Sequence, residues 1–203
     1  NYLQFTIDSQ PLSMPLRQLI IPVIGDTMAA SYFCEERKKV IFNMILVVEG
    51  IVMCFVLLMV CVVGIANGPV GLVLLYEEDV QQRVVELGLT TKEKIRKNFI
   101  LCSIALFVPM FVLPPLMVYG INGATEFWDG FWQMSIILWI QGLFDRFFVD
   151  WYWVGKTKAW QIKGTEDLKP YIPVKMLIIK WSFTLIGFPV IAAVIAGLMT
   201  YVI

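Results

Sequence analysis

Few groups in this 203-residue chain could do chemistry, because only 16% of it is charged and it contains no histidine. Glu49 is the most telling of them. It lies about a third of the way along an apolar run from Val40 to Ala66, where a carboxylate is expensive and an ionisable side chain points to a function. There it could take up a proton or cation and couple that binding to the movement of a solute. The plainer role is a protonated acid hydrogen-bonded to a neighbouring helix.

A second group falls in Gln141-Gly142-Leu143-Phe144-Asp145-Arg146-Phe147-Phe148-Val149-Asp150-Trp151-Tyr152-Trp153. If a helix continues through it, Gln141 and Asp145 share one face at i,i+4, as do Arg146 and Asp150. Two carboxylates and a guanidinium then gather beside Trp151, Trp153 and Trp160. Such a set could receive a headgroup or a cationic solute, the Trp rings adding stacking or cation–π contact. Its plainer role is a helix end in an aromatic belt, with an ion pair clamping the next loop. Glu49, Gln141, Asp145, Arg146, Asp150 and Trp153 are therefore the candidate substrate- or ion-binding residues. Carboxylates at Asp145, Asp150, Glu166 and Asp167 suit hard cations in type, but their spacing follows no metal-site pattern. The sequence assigns no catalytic residue, metal ligand or cofactor.

Several enzyme classes are excluded. Without histidine there is no Ser–His dyad of the rhomboid kind, no histidine-ligated haem and no ordinary general base near neutral pH. The paired glutamates of an intramembrane prenyl protease are imitated by Glu35-Glu36, but Val40 stands where the arginine four residues on is needed. Cys34, Cys54, Cys61 and Cys102 form no C-x-x-C pair, and three of them sit in apolar runs where a thiol behaves as a small hydrophobe.

The elements that must position these residues are membrane helices. The chain is 59% hydrophobic and 14% aromatic, with a mean hydropathy of +0.75, too apolar for a water-soluble domain. Spans are expected at about 40–66, 99–119, 127–148 and 176–203, each long enough for a hydrocarbon core of about 30 Å. The predicted fold class is all-α, a polytopic bundle of about four spans with helices in the connecting loops. Residues 1–39 form a separate N-terminal segment, with an interfacial helix at about 12–33, where Pro15, Arg17, Pro22 and Asp26 argue against a crossing. The first thirty residues show neither the basic n-region nor the clean apolar stretch of a signal peptide.

Glu77 to Leu87 reads as a polar helix ended by Gly88, and Thr90 with Glu93 as a capping box opening the next helix. Leu87-Gly88-Leu89-Thr90-Thr91 superficially matches the turn of a helix-turn-helix, but the following helix runs into lipid, so nucleic acid is not an expected partner. Thr165 is an expected N-cap, after a turn at Gly164. Arg83, Lys92, Lys94, Arg96 and Lys97, together with Lys156, Lys158, Lys163, Lys169 and Lys175, place both long loops on the inner face, whereas Gly120 to Gly130 holds neither Lys nor Arg. Arg37, Lys38 and Lys39 run against that rule. Pro109, Pro114, Pro115 and Pro189 should kink their spans, Lys180 should snorkel to the interface, and Ala192, Ala193, Ala196 and Gly197 offer a small-residue packing face.

From Gly68 onward the succession Gly68-Pro69-Val70-Gly71, Asp79 to Arg83, Glu86 to Thr91, Asp145-Arg146, Asp150 to Trp160 and Gly164 to Leu168 resembles a group of small polytopic bacterial membrane proteins, common in Firmicutes. The resemblance covers roughly two thirds of the chain. It implies a multi-pass protein of the bacterial cytoplasmic membrane; that group carries no assigned activity. Three function classes follow. The first is a small-solute or ion transporter, or a transporter subunit, using the intramembrane carboxylate as a homo-oligomer or with another membrane subunit. The second is a membrane enzyme acting on a lipid-linked substrate, with Asp145 or Asp150 as acid or base and Arg146 on phosphate. The third is a non-catalytic scaffold.

Overall fold

Apolar helix length dominates the architecture, as the hydropathy pattern requires. The computed structural model describes the backbone of residues 16–202 and the side chains of residues 33–202. The expected interfacial helix at 12–33 and most of the 1–39 segment rest on residues outside that side-chain description. Among the described residues every regular element is helical. Three helical stretches, Phe33–Ile65, Lys92–Ile121 and Val174–Val202, are long and apolar enough to cross a membrane.

The elements are α1 (Leu16–Ile65), a 3₁₀ stretch Pro69–Leu75, α2 (Glu78–Glu86), α3 (Lys92–Pro115), α4 (Phe127–Phe144), a 3₁₀ turn Glu166–Leu168, α5 (Val174–Ser182) and α6 (Phe188–Val202). Three π-helical segments extend or join them: Leu116–Ile121 after α3, Asp145–Val154 after α4 and Phe183–Gly187 between α5 and α6. Prolines account for two of these. Pro114 and Pro115 precede the first, and Pro189 follows the last, leaving the Leu185 carbonyl without its usual i+4 donor. The helical path thus continues beside Pro114, Pro115 and Pro189 through π turns, whereas at Pro109 it stays within α3.

The chain forms two compact units, Asn1–Asn43 and Met44–Ile203. In the described part of the first, Lys39 pairs with Glu35 at 3.3 Å and with Glu36 at 3.9 Å, and Arg37 lies over the Phe33 ring.

The second unit exposes large apolar side chains on its outside and buries a few polar groups within an otherwise apolar interior. Phe99, Ile104, Phe107, Val108 and Phe111 on α3, and Val190, Val194 and Leu198 on α6, are exposed. Glu49, Gln133, Gln141, Arg146 and Asp150 are buried. Water would not tolerate so much exposed hydrocarbon, whereas a bilayer favours it. α4 is the inner helix, burying Gln133, Met134, Ile137, Leu138, Gln141 and Gly142. It was the expected third span, but its Trp and Gln residues lower its hydropathy and it is not among the three strongly apolar helices. A helix enclosed by others has less need of a lipid-compatible surface.

α4 packs tightly on α6 and on the π segment that precedes α6. A Cβ added at Gly142 would stand 2.5 Å from Phe188 Cε2 and 2.7 Å from Thr184 Cγ2. Ala192 and Ala196 are fully buried, so this part of the small-residue face packs within the chain. At one end of the bundle the two Lys/Arg-rich loops pack on each other. Leu72, Val73, Tyr76, Val80 and Val84 join Trp160, Ile162 and Tyr171 in one apolar cluster. Tyr76 Oη donates to the Trp160 carbonyl at 2.5 Å, and Arg83 meets Asp167 at 3.3 Å. Burial, with a lesser contribution from Tyr171, pushes the Tyr76 hydroxyl well above the usual tyrosine range.

Two caps differ from expectation. Thr91, not Thr90, caps α3, its hydroxyl accepting from the Lys94 N–H at 3.3 Å, because the helix begins at Lys92 and the cap falls on the residue before it. Thr165 makes no N-cap bond. Its fully buried hydroxyl donates to the Ile162 carbonyl at 2.9 Å and lies 3.0 Å from Tyr171 Oη, so tertiary packing has taken the group that would have capped the turn.

Candidate functional site

The six candidate residues separate into two polar centres at opposite ends of α4. Glu49 belongs to the centre beneath the turn joining the π segment after α3 to α4. Its side chain is 7% exposed, and Asn122 Nδ2 donates both to Glu49 Oε2 at 3.1 Å and to Gln133 Oε1 at 3.0 Å. The local sequence explains the placement. Gly50 allows α1 to approach Ile140 of α4, since an added Cβ there would be 2.7 Å from the Ile140 side chain. Gly123, with a φ of 69°, reverses the chain so that Asn122 reaches inward. The result is an acid bonded by amides. No basic side chain forms an ion pair with it among the described residues.

The second centre lies at the other end. Gln133 and Asp145 are twelve residues apart, about 18 Å along a helix at 1.5 Å per residue. Here the π segment brings Asp145, Arg146 and Asp150 together. Arg146 forms ion pairs with both carboxylates, and Lys180 Nζ of α5 lies 2.8 Å from Asp150 Oδ1. The arginine and Asp150 side chains are 8% and 5% exposed, and Lys180 is 31% exposed. Two acids and two bases give a neutral cluster, which is how four ionisable groups can share a largely buried site.

Lys180 is the member that sequence reasoning missed. The sequence places it only as a lysine snorkelling to the interface; in the fold its ammonium pairs with Asp150. The signal was present: a lysine six residues into an apolar helix needs either an interface or a counter-charge. Gln141 is buried one turn before Asp145, and its Oε1 has no partner among the described residues. Trp153 is half-buried and packs edge-on against Trp160, with centroids 5.4 Å apart at 90°. Its backbone carbonyl accepts from Thr157 Oγ1 at 2.5 Å. Trp153 thus packs against the apolar cluster of Tyr76, Trp160 and Tyr171 rather than among the charges.

Asp145 and Asp150 are not joined by the loop acids. Asp167 is bonded to Arg83, and Glu166 Oε2 accepts from the Gly164 N–H at 2.9 Å. Among the described residues, no group of three or more His, Cys, Asp or Glu side chains could hold a metal ion.

No protein-family model, curated protein or solved structure matches the chain. Its function must therefore be argued from these two centres. The amide-bonded acid can exchange a proton or receive a cation without breaking a strong ion pair. The four-charge cluster cannot, because releasing any member leaves a buried charge uncompensated.

Proposed function

We propose that this is a multi-pass protein of the bacterial cytoplasmic membrane that moves a small solute or ion, or serves as the membrane subunit of such a transporter. Glu49 is its exchangeable carboxylate. The observation that carries the reading is the Glu49–Asn122–Gln133 network: a buried acid among apolar helices whose hydrogen-bond partner is an amide rather than a base. Asn122 and Gln133 also carry carbonyl oxygens, so a cation arriving at Glu49 would find oxygen ligands after rotation of the amides.

In this reading α4 is a fourth crossing. Trp128 and Trp132 are exposed near its start and Trp151 and Tyr152 near the end of its π extension. The span from residue 128 to 151 is about 35 Å at 1.5 Å per residue, enough to set an aromatic belt at each face of a core of about 30 Å. The packed basic loops then face the cytoplasm, Glu49 lies toward the outer face and the Asp145–Lys180 cluster toward the inner one.

The lipid-linked enzyme reading needs Arg146 free to grip phosphate and Asp150 free to move a proton. Both are already engaged by ion-pair partners and nearly inaccessible, which favours transport. The test is to reconstitute wild type and Glu49→Gln into liposomes loaded with a pH-sensitive dye and to apply cation and solute gradients. Wild type should show coupled proton or cation movement that Glu49→Gln loses. If wild type moves nothing, or if the variant matches it, the reading fails.

A further inference from the structure

Between the last turns of α1 and the first half of α3 lies a groove of about 800 Å³. It is distinct from both polar centres. Asn67 and Lys94 stand at one end, and Met59 and Ala105 at the other. Its walls are apolar side chains exposed on the bundle surface, Met59 and Val63 from α1 and Leu101 from α3. The floor contains the buried residues Leu72 and Cys102. The groove is held open by a fixed contact: Asn98 Nδ2 donates to the Gly71 carbonyl at 3.0 Å, tying α3 to the 3₁₀ stretch after α1.

Three features decide what fits. The first is length. From Lys94 to Ala105 is eleven residues, about 16 Å of helix, which matches one leaflet of a hydrocarbon core of about 30 Å. The second is polarity, which falls in one direction only, from the Asn67 and Asn98 amides and the Lys94 ammonium near the mouth to hydrocarbon along the remaining length. The third is charge. Among the described residues that line the groove, Lys94 carries the one charge, and it is positive. Lys92, Arg96 and Lys97 reinforce the positive field around the start of the same helix, against Glu93.

We infer that this groove holds one anionic phospholipid of the leaflet at the basic end of the bundle, its phosphate at Lys94 and Asn67 and one acyl chain laid between α1 and α3. A soluble ligand would not require apolar walls open to the bilayer, and a zwitterionic lipid would leave the lysine without a net counter-charge. The inference rests on residence of these helices in lipid and is independent of the transport reading.

The full chain, purified in mild detergent, would be titrated with phosphatidylglycerol and with phosphatidylcholine of the same acyl chains, and retained lipid counted by native mass spectrometry. Wild type should retain phosphatidylglycerol preferentially. Lys94→Gln should weaken that retention roughly fivefold, whereas Lys158→Gln, a neutralisation in the other basic loop, should leave it unchanged. Leu101→Trp, which fills the groove, should reduce binding of both lipids. Equal retention of the two lipids by wild type would overturn the proposal. So would equal weakening by Lys94→Gln and Lys158→Gln, which would mark a diffuse surface field rather than a site.

Discussion

Neutrality of the Asp145–Arg146–Asp150–Lys180 cluster makes a sharp prediction about paired substitutions. Lys180→Met leaves Asp150, 5% exposed, with Arg146 as its one remaining ion-pair partner, and gives the cluster a net negative charge. Removing one partner of a buried pair costs about 3–5 kcal/mol. Because Asp150 keeps Arg146 and Lys180 is 31% exposed, solvent screening lowers the cost below that range, to about 2–3 kcal/mol. Asp150→Leu strands Lys180 and leaves Arg146 paired with Asp145; Lys180 can relieve part of that by moving outward, so its cost is of similar size. In the double variant the remaining Asp145–Arg146 pair is again neutral. If the two costs simply added, it would lose about 5 kcal/mol; restored neutrality should hold the loss to about 2–3 kcal/mol, a coupling of about 2 kcal/mol. Equilibrium unfolding in mixed micelles, read by helical circular dichroism for wild type, both single variants and the double, measures this directly. Additive losses within about 0.5 kcal/mol would refute the view that the four charges form one compensated unit.

Two further outcomes are expected. Gly142→Ala places a methyl group within 2.7 Å of Thr184 and Phe188, so α4 and α6 must separate. A loss of about 1–3 kcal/mol should appear in the same unfolding assay, whereas Gly197→Ala, with open space around the new Cβ, should cost less than 1 kcal/mol. Tyr76 is the group outside the spans with a defined pH consequence. Its folded-state pKa is raised by burial, so the stability it contributes is fully present below the unfolded tyrosine value of about 10 and is lost as pH rises through the folded value. Alkaline destabilisation beginning near pH 10 should therefore diminish in Tyr76→Phe. That variant should itself be weaker by about 1 kcal/mol at pH 7 through the lost bond to the Trp160 carbonyl. An unchanged alkaline slope would show that other groups govern that limb.

Composition and period were enough to show from the sequence that lipid solvates this chain, because hydrocarbon runs near membrane length have few other stable fates. The positions of the long helices follow from the same runs. Glu49 and the Asp145–Arg146–Asp150 group were legible too, since an acid in an apolar run and an i,i+4 charge spacing are both local signals. What the sequence could not determine was which partner each polar group would find. Thr91 rather than Thr90 caps α3, Thr165 turns inward to Ile162, and Lys180 faces Asp150 thirty residues earlier. The first is decided by where α3 begins, the second by the burial of Thr165 against Tyr171, and the third by pairing across thirty residues. Tertiary structure also gave each of the two groups its own surroundings: Glu49 is bonded to Asn122 at one end of α4, and the ion-paired cluster lies at the other. The length of α4 sets the separation of about 18 Å between Gln133 and Asp145, and the turn after α3 brings Asn122 to the Gln133 end. Local spacing reports which residues share a helix face; only the folded bundle sets how far apart two faces stand.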